Sequence, residues 1–144
     1  MLVQQILNSK SDQAVVTVSP GTLISEAAKI LAEKRIGTVI VSKSGQTADG
    51  ILSERDIVRE LAARGATCLS DAVSDYMTSE LKTASREDNV DTVLATMTAG
   101  RFRHMPVIDD GALVGIVTLG DVVKAKLSEV AMEKDALEGM IMGH

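Results

Sequence analysis

The chain has 144 residues, of which 45% are hydrophobic and 24% charged, a length that can bury a core as one domain or as one closely paired module. Its formal net charge of −5 disfavours nucleic acid and anionic lipid as partners, because both are held mainly by clustered lysine and arginine. With one phenylalanine and one tyrosine as its only aromatic residues, the chain is also a poor candidate for stacking single-stranded bases.

The predicted elements of the first half alternate between strand and helix patterns. Short β-branched runs bounded by turn residues indicate strands, and apolar residues at intervals of three and four indicate helices. A lead-in at residues 3–7 precedes them. In chain order we predict a strand from Ala14 to Val18, a helix with Thr22 as its N-cap that ends near Gly37, a strand from Thr38 to Val41, a strand from Gly50 to Leu52 and a helix that starts at Ser53.

The second half repeats this order 65 or 66 residues later. The stretch GILSERD from Gly50 to Asp56 returns as GIVTLGD from Gly115 to Asp121, and the lead-in returns at residues 73–77. Here we predict a strand that begins at Thr83, a helix with Asp88 as its N-cap that ends near Gly100, strands at residues 105–108 and 113–117, and a helix that starts at Thr118. Such self-similarity predicts two copies of one β-α-β-β-α unit.

One such unit, with three strands and two helices, has too little core to be stable alone. We therefore predict an α+β fold in which two tandem β-α-β-β-α repeats, at residues 1–65 and 73–126, pack sheet to sheet as a pseudo-twofold module with two related clefts. The connection at about residues 64–76 is expected to belong to that compact module. The helical tail at residues 127–144 carries apolar residues that no later segment could cover, which predicts a homodimer contact.

The repeated hydroxyl-x-x-aspartate element supports two interpretations. In the structural one, Ser53 and Thr118 cap helices while Asp56 and Asp121 occupy the third helical position, an arrangement that stabilises by about 0.5–2 kcal/mol without any ligand. In the functional one, the free N–H groups of the helix start receive a phosphate, and the aspartate bonds both hydroxyls of a cis-diol. The two interpretations are compatible, and both stay open at this point.

The densest cationic stretch is residues 101–104, Arg-Phe-Arg-His, directly before a predicted strand. It is either a solvated helix end, where cations suit the negative dipole, or a phosphate-binding group. The first repeat keeps Arg35 opposite Arg101 but has the uncharged Gly37 and Thr38 opposite Arg103 and His104, and it carries Arg55 inside its motif. We therefore predict inequivalent clefts, with the better phosphate site beside Asp121 and a weaker or different site beside Asp56.

Catalytic and metal-binding residues are sparse. Cys68 has no cysteine partner and is expected to be a small semi-buried side chain, and no cysteine–histidine cluster offers zinc its ligands. His104 is the only histidine besides the terminal His144, and no nucleophile stands with a base and an orienting group. We predict no enzymatic activity and no metal site. Without a signal-peptide pattern or a long apolar run, we expect a soluble, cytoplasmic protein.

The doubled motif, residues 101–107 and the lead-in at residues 73–78 together resemble a tandem pair of CBS domains, also called a Bateman module. The resemblance implies that adenosyl ligands bind in the clefts between the repeats, with AMP expected first and ADP, ATP, NAD(H) or S-adenosylmethionine as alternatives. It places Asp56 and Asp121 on ribose and Ser53 and Thr118 near phosphate. The full candidate set is Thr17, Gly37, Thr38, Val39, Ser53, Arg55, Asp56, Thr83, Arg101, Arg103, His104, Met105, Pro106, Thr118 and Asp121.

The function that follows from this resemblance is a stand-alone regulatory module that senses an adenine nucleotide and acts on an unidentified protein partner. The alternative is a ligand-free CBS pair that only scaffolds a partner. In that case the two motif aspartates would serve as helix caps and nothing more.

Overall fold

In the computed structural model, which describes residues 1–10 and 15–141, both halves of the chain follow the predicted order of elements, except that the first strand of the second half is reduced to a bridge. The first half comprises α1 (Val3–Ser9), β1 (Thr17–Val18), α2 (Ile24–Lys34), β2 (Thr38–Val41), β3 (Gly50–Ser53) and α3 (Glu54–Arg64). Two short 3₁₀ helices, Gly65–Ser70 and Val73–Asp75, lead to the second half, which comprises α4 (Val90–Gly100), β4 (His104–Asp109), β5 (Ala112–Thr118) and α5 (Leu119–Ile141). Ala14, predicted to start the first strand, and residues 142–144 of the predicted tail lie outside the described residues.

Each of the two sheets contains an antiparallel hairpin, but only the first sheet has a third strand. In the first repeat β1 runs parallel to β2, and β2 pairs antiparallel with β3. In the second repeat β4 and β5 form the same antiparallel hairpin. The strand predicted to begin at Thr83 is reduced to a single parallel bridge between Ala84 and Val107, in which the Ala84 N–H donates to the Pro106 carbonyl at 2.9 Å.

Two of the predicted helix caps are wrong. The N-cap of α2 is Leu23, which makes no side-chain cap, and the Thr22 hydroxyl instead lies 3.0 Å from the hydroxyl of Ser19. The N-cap of α4 is Asn89 rather than Asp88. The Asp88 carboxylate is already used one turn earlier, where it accepts the amide and the hydroxyl of Ser85 at 2.9 and 3.0 Å.

The lead-in segments pack across the module rather than on the repeats that they precede. Val3, Ile6 and Leu7 of α1 belong to the core cluster of the second repeat. Val73 belongs to the core cluster of the first repeat, and Thr78 bridges Ile51 of β3. This exchange ties the two repeats together.

The connection between the repeats is also packed, as predicted. Cys68 and Val73 are fully buried, so Cys68 is more enclosed than the semi-buried side chain that we expected. The hairpins of the two repeats meet as well, where the Leu113 N–H donates to the Gln46 carbonyl at 2.7 Å. The result is one mixed α/β module with a core cluster in each repeat.

The last helix, α5, continues the motif of the second repeat for 23 residues. Val122 and Ala125 are its buried residues, and several large apolar side chains beyond them are exposed. Among the described residues, no helix combines the length and the apolar character that crossing a membrane requires.

Candidate functional site

Both copies of the repeated motif form reciprocal helix caps. Ser53 Oγ accepts the Asp56 amide at 3.2 Å, and Asp56 Oδ2 accepts the Ser53 amide and hydroxyl at 2.8 and 3.0 Å. In the second copy Thr118 Oγ1 accepts the Asp121 amide at 3.0 Å, and Asp121 Oδ2 accepts the Thr118 amide at 2.9 Å. The structural interpretation of the motif is thus confirmed twice. Any ligand role depends on what surrounds each cap.

The surroundings of the first cap are a cleft of about 480 Å³ between the two repeats. One wall is the start of α3 with the end of β3, and the opposite wall is the corner where α4 turns into β4. The segment after Thr78 closes the side. Its candidate residues are Gly37, Thr38, Ser53, Arg55 and Asp56 from the first repeat and Arg101, Arg103, His104 and Pro106 from the second.

The cationic cluster therefore faces Asp56, and the sequence prediction had paired it with Asp121. Arg101 and Arg103 follow the last turn of α4, and this corner points across the module toward the start of α3. A Cβ placed on Gly37 would lie 3.7 Å from Glu54 and 3.9 Å from His104, which shows how closely the corners of the two repeats meet. The prediction was wrong because it relied on the short distance along the chain between the cationic cluster and Thr118. Which motif the cluster contacts depends instead on how one repeat packs on the other.

The cleft concentrates positive charge in an acidic chain. Five lysine and arginine side chains line it against three acidic ones, while the whole chain has a net charge of −5. Arg101 is held at the helix end in the left-handed conformation, with φ at 57°, and its amide donates to the Met97 carbonyl. Lys82 adds a cation from the connecting segment. Such a surface attracts an anionic ligand.

The cleft also contains a buried hydroxyl. Thr38 is 8% exposed and lines the cleft at the start of β2. Within residues 1–10 and 15–141, its Oγ1 is the buried side-chain oxygen or nitrogen without a hydrogen-bond partner. Burying a hydroxyl unpaired costs roughly 1–3 kcal/mol, so native structures rarely leave one in that state.

His104 lies where the two motifs approach each other. Burial, the largest effect, lowers the pKa of His104 below its ordinary value, and the nearby carboxylates of Asp121 and Glu54 oppose that shift without reversing it. The imidazole is therefore neutral at pH 7. In that state it offers one N–H donor and one acceptor to the cleft.

The second motif faces a different partner. Lys10 Nζ lies 2.9 Å from Asp121 Oδ2 and donates to the Ile116 carbonyl at 3.0 Å, and the side chains of this ion pair are only 24% and 25% exposed. Burial alone would raise the pKa of Asp121, but the Thr118 amide and the Lys10 ammonium together lower it below its ordinary value. The cavity beside this pair, of about 570 Å³, lies between α1 and α5.

Sequence reasoning missed Lys10, although a signal was present. The lead-in at residues 3–7 aligns with residues 73–77, and extending that alignment sets Lys10 opposite Glu80. Glu80 lines the first cleft, and Lys10 lines the second cavity. At this one position the two lead-ins therefore deliver charges of opposite sign.

Other residues of the cleft belong to or follow segments that the sequence analysis singled out, but they were not chosen as site residues. Thr78, Lys82 and Phe102 line it although the candidate set omitted them. A Cβ on Gly100 would overlap the Phe102 ring, so a larger residue at position 100 would displace that ring. The cleft thus gains an aromatic edge from the one phenylalanine in the chain.

Five candidate residues lie outside the linings of both cavities. Val39 and Met105 are core residues, 0% and 2% exposed. Thr17 lies in β1, Thr83 is exposed before the Ala84 bridge, and Thr118 caps α5. The structure thus brings the remaining candidates, except Asp121, to one cleft.

Comparison with known proteins is consistent with this architecture. The CBS domain family model matches residues 5–63 and 73–128. The mitochondrial CBS domain-containing protein CBSX3 of Arabidopsis thaliana is 36% identical over 124 residues, which cover 83% of this chain. The chain spans 60% of the length of that relative.

Solved structures of CBS-domain proteins share the fold. The CBS-domain containing protein ATU1752 from Agrobacterium tumefaciens is 40% identical, with a TM-score of 0.83 over 88% of this chain and 99% of that one. The CBS domain protein PAE2072 from Pyrobaculum aerophilum, complexed with AMP, is 26% identical, with a TM-score of 0.77 over 92% and 99%. The CBS domain pair of protein MJ0100, in complex with 5′-methylthioadenosine and S-adenosyl-L-methionine, is 28% identical, with a TM-score of 0.77 over 90% and 98%. From the two matched segments and these likenesses, the chain belongs to the CBS domain family as a tandem CBS pair.

Proposed function

We propose that this CBS pair is a regulatory module that binds an adenosyl ligand, AMP foremost, in the cleft beside Asp56, and that binding changes its shape or its affinity for a protein partner. The AMP complex of one structural neighbour and the S-adenosylmethionine complex of another support this ligand class. The cleft volume of about 480 Å³ lies within the usual range for small-molecule sites. ADP, ATP and NAD(H) share the adenosyl group and are tested with it.

The polar groups of the cleft suit a nucleotide. Asp56 Oδ1 is contacted by Arg59 at 3.3 Å, and Arg59 is 70% exposed, so a ribose hydroxyl can replace this weak contact at little cost. The phosphate is assigned to the cationic wall formed by Arg101 and Arg103, with Arg55 at the start of α3 facing it. Arginine suits phosphate because its planar guanidinium offers two donors side by side.

The observation that carries the proposal is the unpaired Thr38 hydroxyl. It lies in the same cleft as Asp56 and the two arginines, and nothing in the described fold accounts for its burial without a partner. Once the Thr38 side chain turns about χ1 toward the opening of the cleft, a ligand atom could accept a hydrogen bond from it or donate one to it. The scaffold alternative gives this hydroxyl no purpose.

The second cleft is assigned a lesser role in nucleotide binding. A ribose could use Asp121 only after Lys10 had left it, which means breaking a half-buried ion pair. We therefore expect one AMP per chain at the cleft of Asp56. Isothermal titration calorimetry of the full chain with AMP measures this stoichiometry.

Thermal unfolding tests the proposal directly. The full chain is melted with AMP, ADP, ATP, NADH and S-adenosylmethionine, each at several concentrations. A ligand at 100 times its Kd adds about 2.7 kcal/mol to the free energy of unfolding, which for a chain of this size is a shift of several degrees. The Asp56→Asn variant should lose most of that shift, because an amide is a poorer acceptor for two hydroxyl donors.

Asp121→Asn is the matched control, since it makes the same chemical change in the other copy of the motif. It should melt at a lower temperature without ligand, because Lys10 loses its counter-charge, and should keep the ligand-induced shift. If no adenosyl ligand moves the melting temperature of the wild type, the module is a scaffold and the proposal is wrong. If Asp121→Asn abolishes the shift and Asp56→Asn preserves it, the cleft is misassigned.

A further inference from the structure

His104 connects the two motifs of the module. Its backbone pairs opposite Thr118, the cap of the second motif, in the hairpin of β4 and β5. Its side chain lines the cleft beside Asp56, which belongs to the first motif. The equivalent residue of the first repeat, Thr38, pairs opposite Ser53 in the same way and lines the same cleft. Of these two equivalent residues, only His104 can change its charge near neutral pH.

The edge of the His104 ring that carries both nitrogens approaches the first repeat. A Cβ on Gly37 would lie 3.9 Å from Cε1 of His104, the ring carbon between the two nitrogens, and 3.7 Å from Oε1 of Glu54. Because Gly37 has no side chain, it does not cover this edge of the ring. A ligand in the cleft can therefore approach the ring nitrogens from this side.

Burial decides the charge of the ring in the ligand-free protein. Burial has the largest effect on the pKa of His104 and lowers it. Asp121 in the first turn of α5 and Glu54 at the start of α3 raise that pKa, whereas Lys10 after α1 and Arg103 before β4 lower it. With two carboxylates set against two cations, burial keeps the imidazole neutral at pH 7.

A bound phosphate group would change this balance. It carries about two negative charges at pH 7, and its assigned position is the wall formed by Arg101 and Arg103, with Arg55 facing it. In the empty cleft these guanidinium groups repel an imidazolium, and a phosphate on them removes that repulsion. An opposite charge within about 4–6 Å stabilises the charged form of a side chain by a factor of about ten or more. The phosphate therefore favours protonation of His104.

We propose that His104 couples nucleotide binding in the cleft beside Asp56 to the uptake of one proton. The imidazole takes this proton from solvent when the ligand carries a phosphate group, and it stays neutral when the adenosyl ligand carries none. His104 therefore favours AMP over adenosyl ligands without phosphate more strongly as pH falls. This proposal rests on the nucleotide site proposed above and adds to it the class of ligand that the cleft prefers in mild acid.

The sign of the pH dependence follows from the uptake of a proton. The affinity for AMP should rise by about tenfold between pH 8 and pH 6, because the complex holds a proton that the ligand-free protein lacks. The phosphate of AMP itself gains a proton near pH 6 and then binds arginine less strongly. Both effects occur in the wild type, so a variant that binds the same ligand without a titrating group at position 104 is needed to separate them.

Isothermal titration calorimetry of the full chain at pH 8, 7 and 6 measures the coupling. His104→Gln is the matched variant, because glutamine keeps a side-chain N–H donor but cannot be protonated. The gain in AMP affinity from pH 8 to pH 6 should be about ten times larger in the wild type than in the variant. With 5′-methylthioadenosine, which has no phosphate, the wild type and the variant should show the same pH dependence. Equal pH dependence of the two proteins with AMP would overturn the proposal.

A nuclear magnetic resonance titration reads the proton on the ring without changing His104. The chain has two histidines, so His144→Gln leaves the imidazole of His104 as the one histidine signal. Saturating AMP should move the midpoint of this titration up by about one pH unit or more, and 5′-methylthioadenosine should leave it in place. If AMP binds and the midpoint does not move, or if 5′-methylthioadenosine moves it equally, His104 has no such role and the nucleotide site stands. If no adenosyl ligand binds at all, both proposals are wrong.

Discussion

The Thr38 hydroxyl gives the sharpest prediction, because one substitution should move stability and ligand binding in opposite directions. Thr38→Val replaces the buried hydroxyl by a methyl group of similar shape. Since Oγ1 has no hydrogen-bond partner within the described residues, the ligand-free protein loses nothing by the change and no longer buries a polar atom. The variant should be more stable than the wild type in the absence of ligand.

The magnitude follows from the cost of the unpaired hydroxyl. Protein mutational data place that cost at roughly 1–3 kcal/mol. For a chain of 144 residues, each kcal/mol raises the melting temperature by about 4 °C. The ligand, in contrast, loses a hydrogen bond worth about 1 kcal/mol, which weakens AMP binding about fivefold.

Differential scanning fluorimetry with an external dye, run with and without AMP, reads both effects on the same sample. Thr38→Ser is the matched control: it keeps the hydroxyl and removes the methyl group, so it should lower stability slightly and preserve the response to AMP. A Thr38→Val protein that melts below the wild type would show that the hydroxyl is already satisfied. A variant that binds AMP as tightly as the wild type would show that the hydroxyl does not contact the ligand.

Two further predictions concern ionisable groups. Lys10→Met removes the counter-charge of Asp121, whose folded-state pKa is lowered. The variant should be less stable than the wild type by its full amount at neutral pH, and the difference should fade as pH falls below about 4, where the carboxylate becomes protonated. Urea unfolding at several pH values measures this difference, with Lys124→Met as the control. Tyr76 donates its hydroxyl to the Asp71 carboxylate, which is the main reason that its pKa is raised to about 12. Since Tyr76 is the only tyrosine and the chain has no tryptophan, ultraviolet titration should show no ionisation near pH 10 in the folded wild type, and an ordinary tyrosine titration there would refute the assignment. Because the folded pKa is raised, this contribution to stability is full below about pH 10 and is lost as pH rises toward 12.

Local pattern was sufficient for the elements that are built from contiguous residues. The β-branched run Thr38–Val41 is a strand with the predicted bounds, and Ser53 caps α3 as expected. Both depend on interactions within a few residues: side-chain packing on a pleated surface for the strand, and one reciprocal hydrogen-bonded turn for the cap. The caps at Thr22 and Asp88 failed because several polar residues compete at each helix start, and the path of the preceding chain selects among them.

The composition of the cleft could be predicted only in part, for a different reason. The sequence indicated which aspartates, arginines and hydroxyl residues belong to the sites, but which of them meet in one cleft depends on how the repeats pack. Arg103 is 15 positions before Thr118, yet it lines the cleft of Asp56. The bond from Lys10 to Asp121 spans 111 residues. No periodicity within a window of ordinary length carries information on such contacts.

The exchange of lead-in segments explains why one duplicated unit yields two unlike clefts. Because the lead-in at residues 73–78 packs on the first repeat, it delivers Glu80 and Lys82 to the cleft of Asp56. The equivalent segment at the start of the chain packs on the second repeat and delivers Lys10 to Asp121. A lysine there neutralises the aspartate of the motif, whereas a glutamate cannot pair with it. A change of charge at one position of the lead-in therefore separates a cleft whose motif carboxylate is contacted by the exposed Arg59 from one whose carboxylate is held in a half-buried ion pair, while the helix caps of both motifs remain intact.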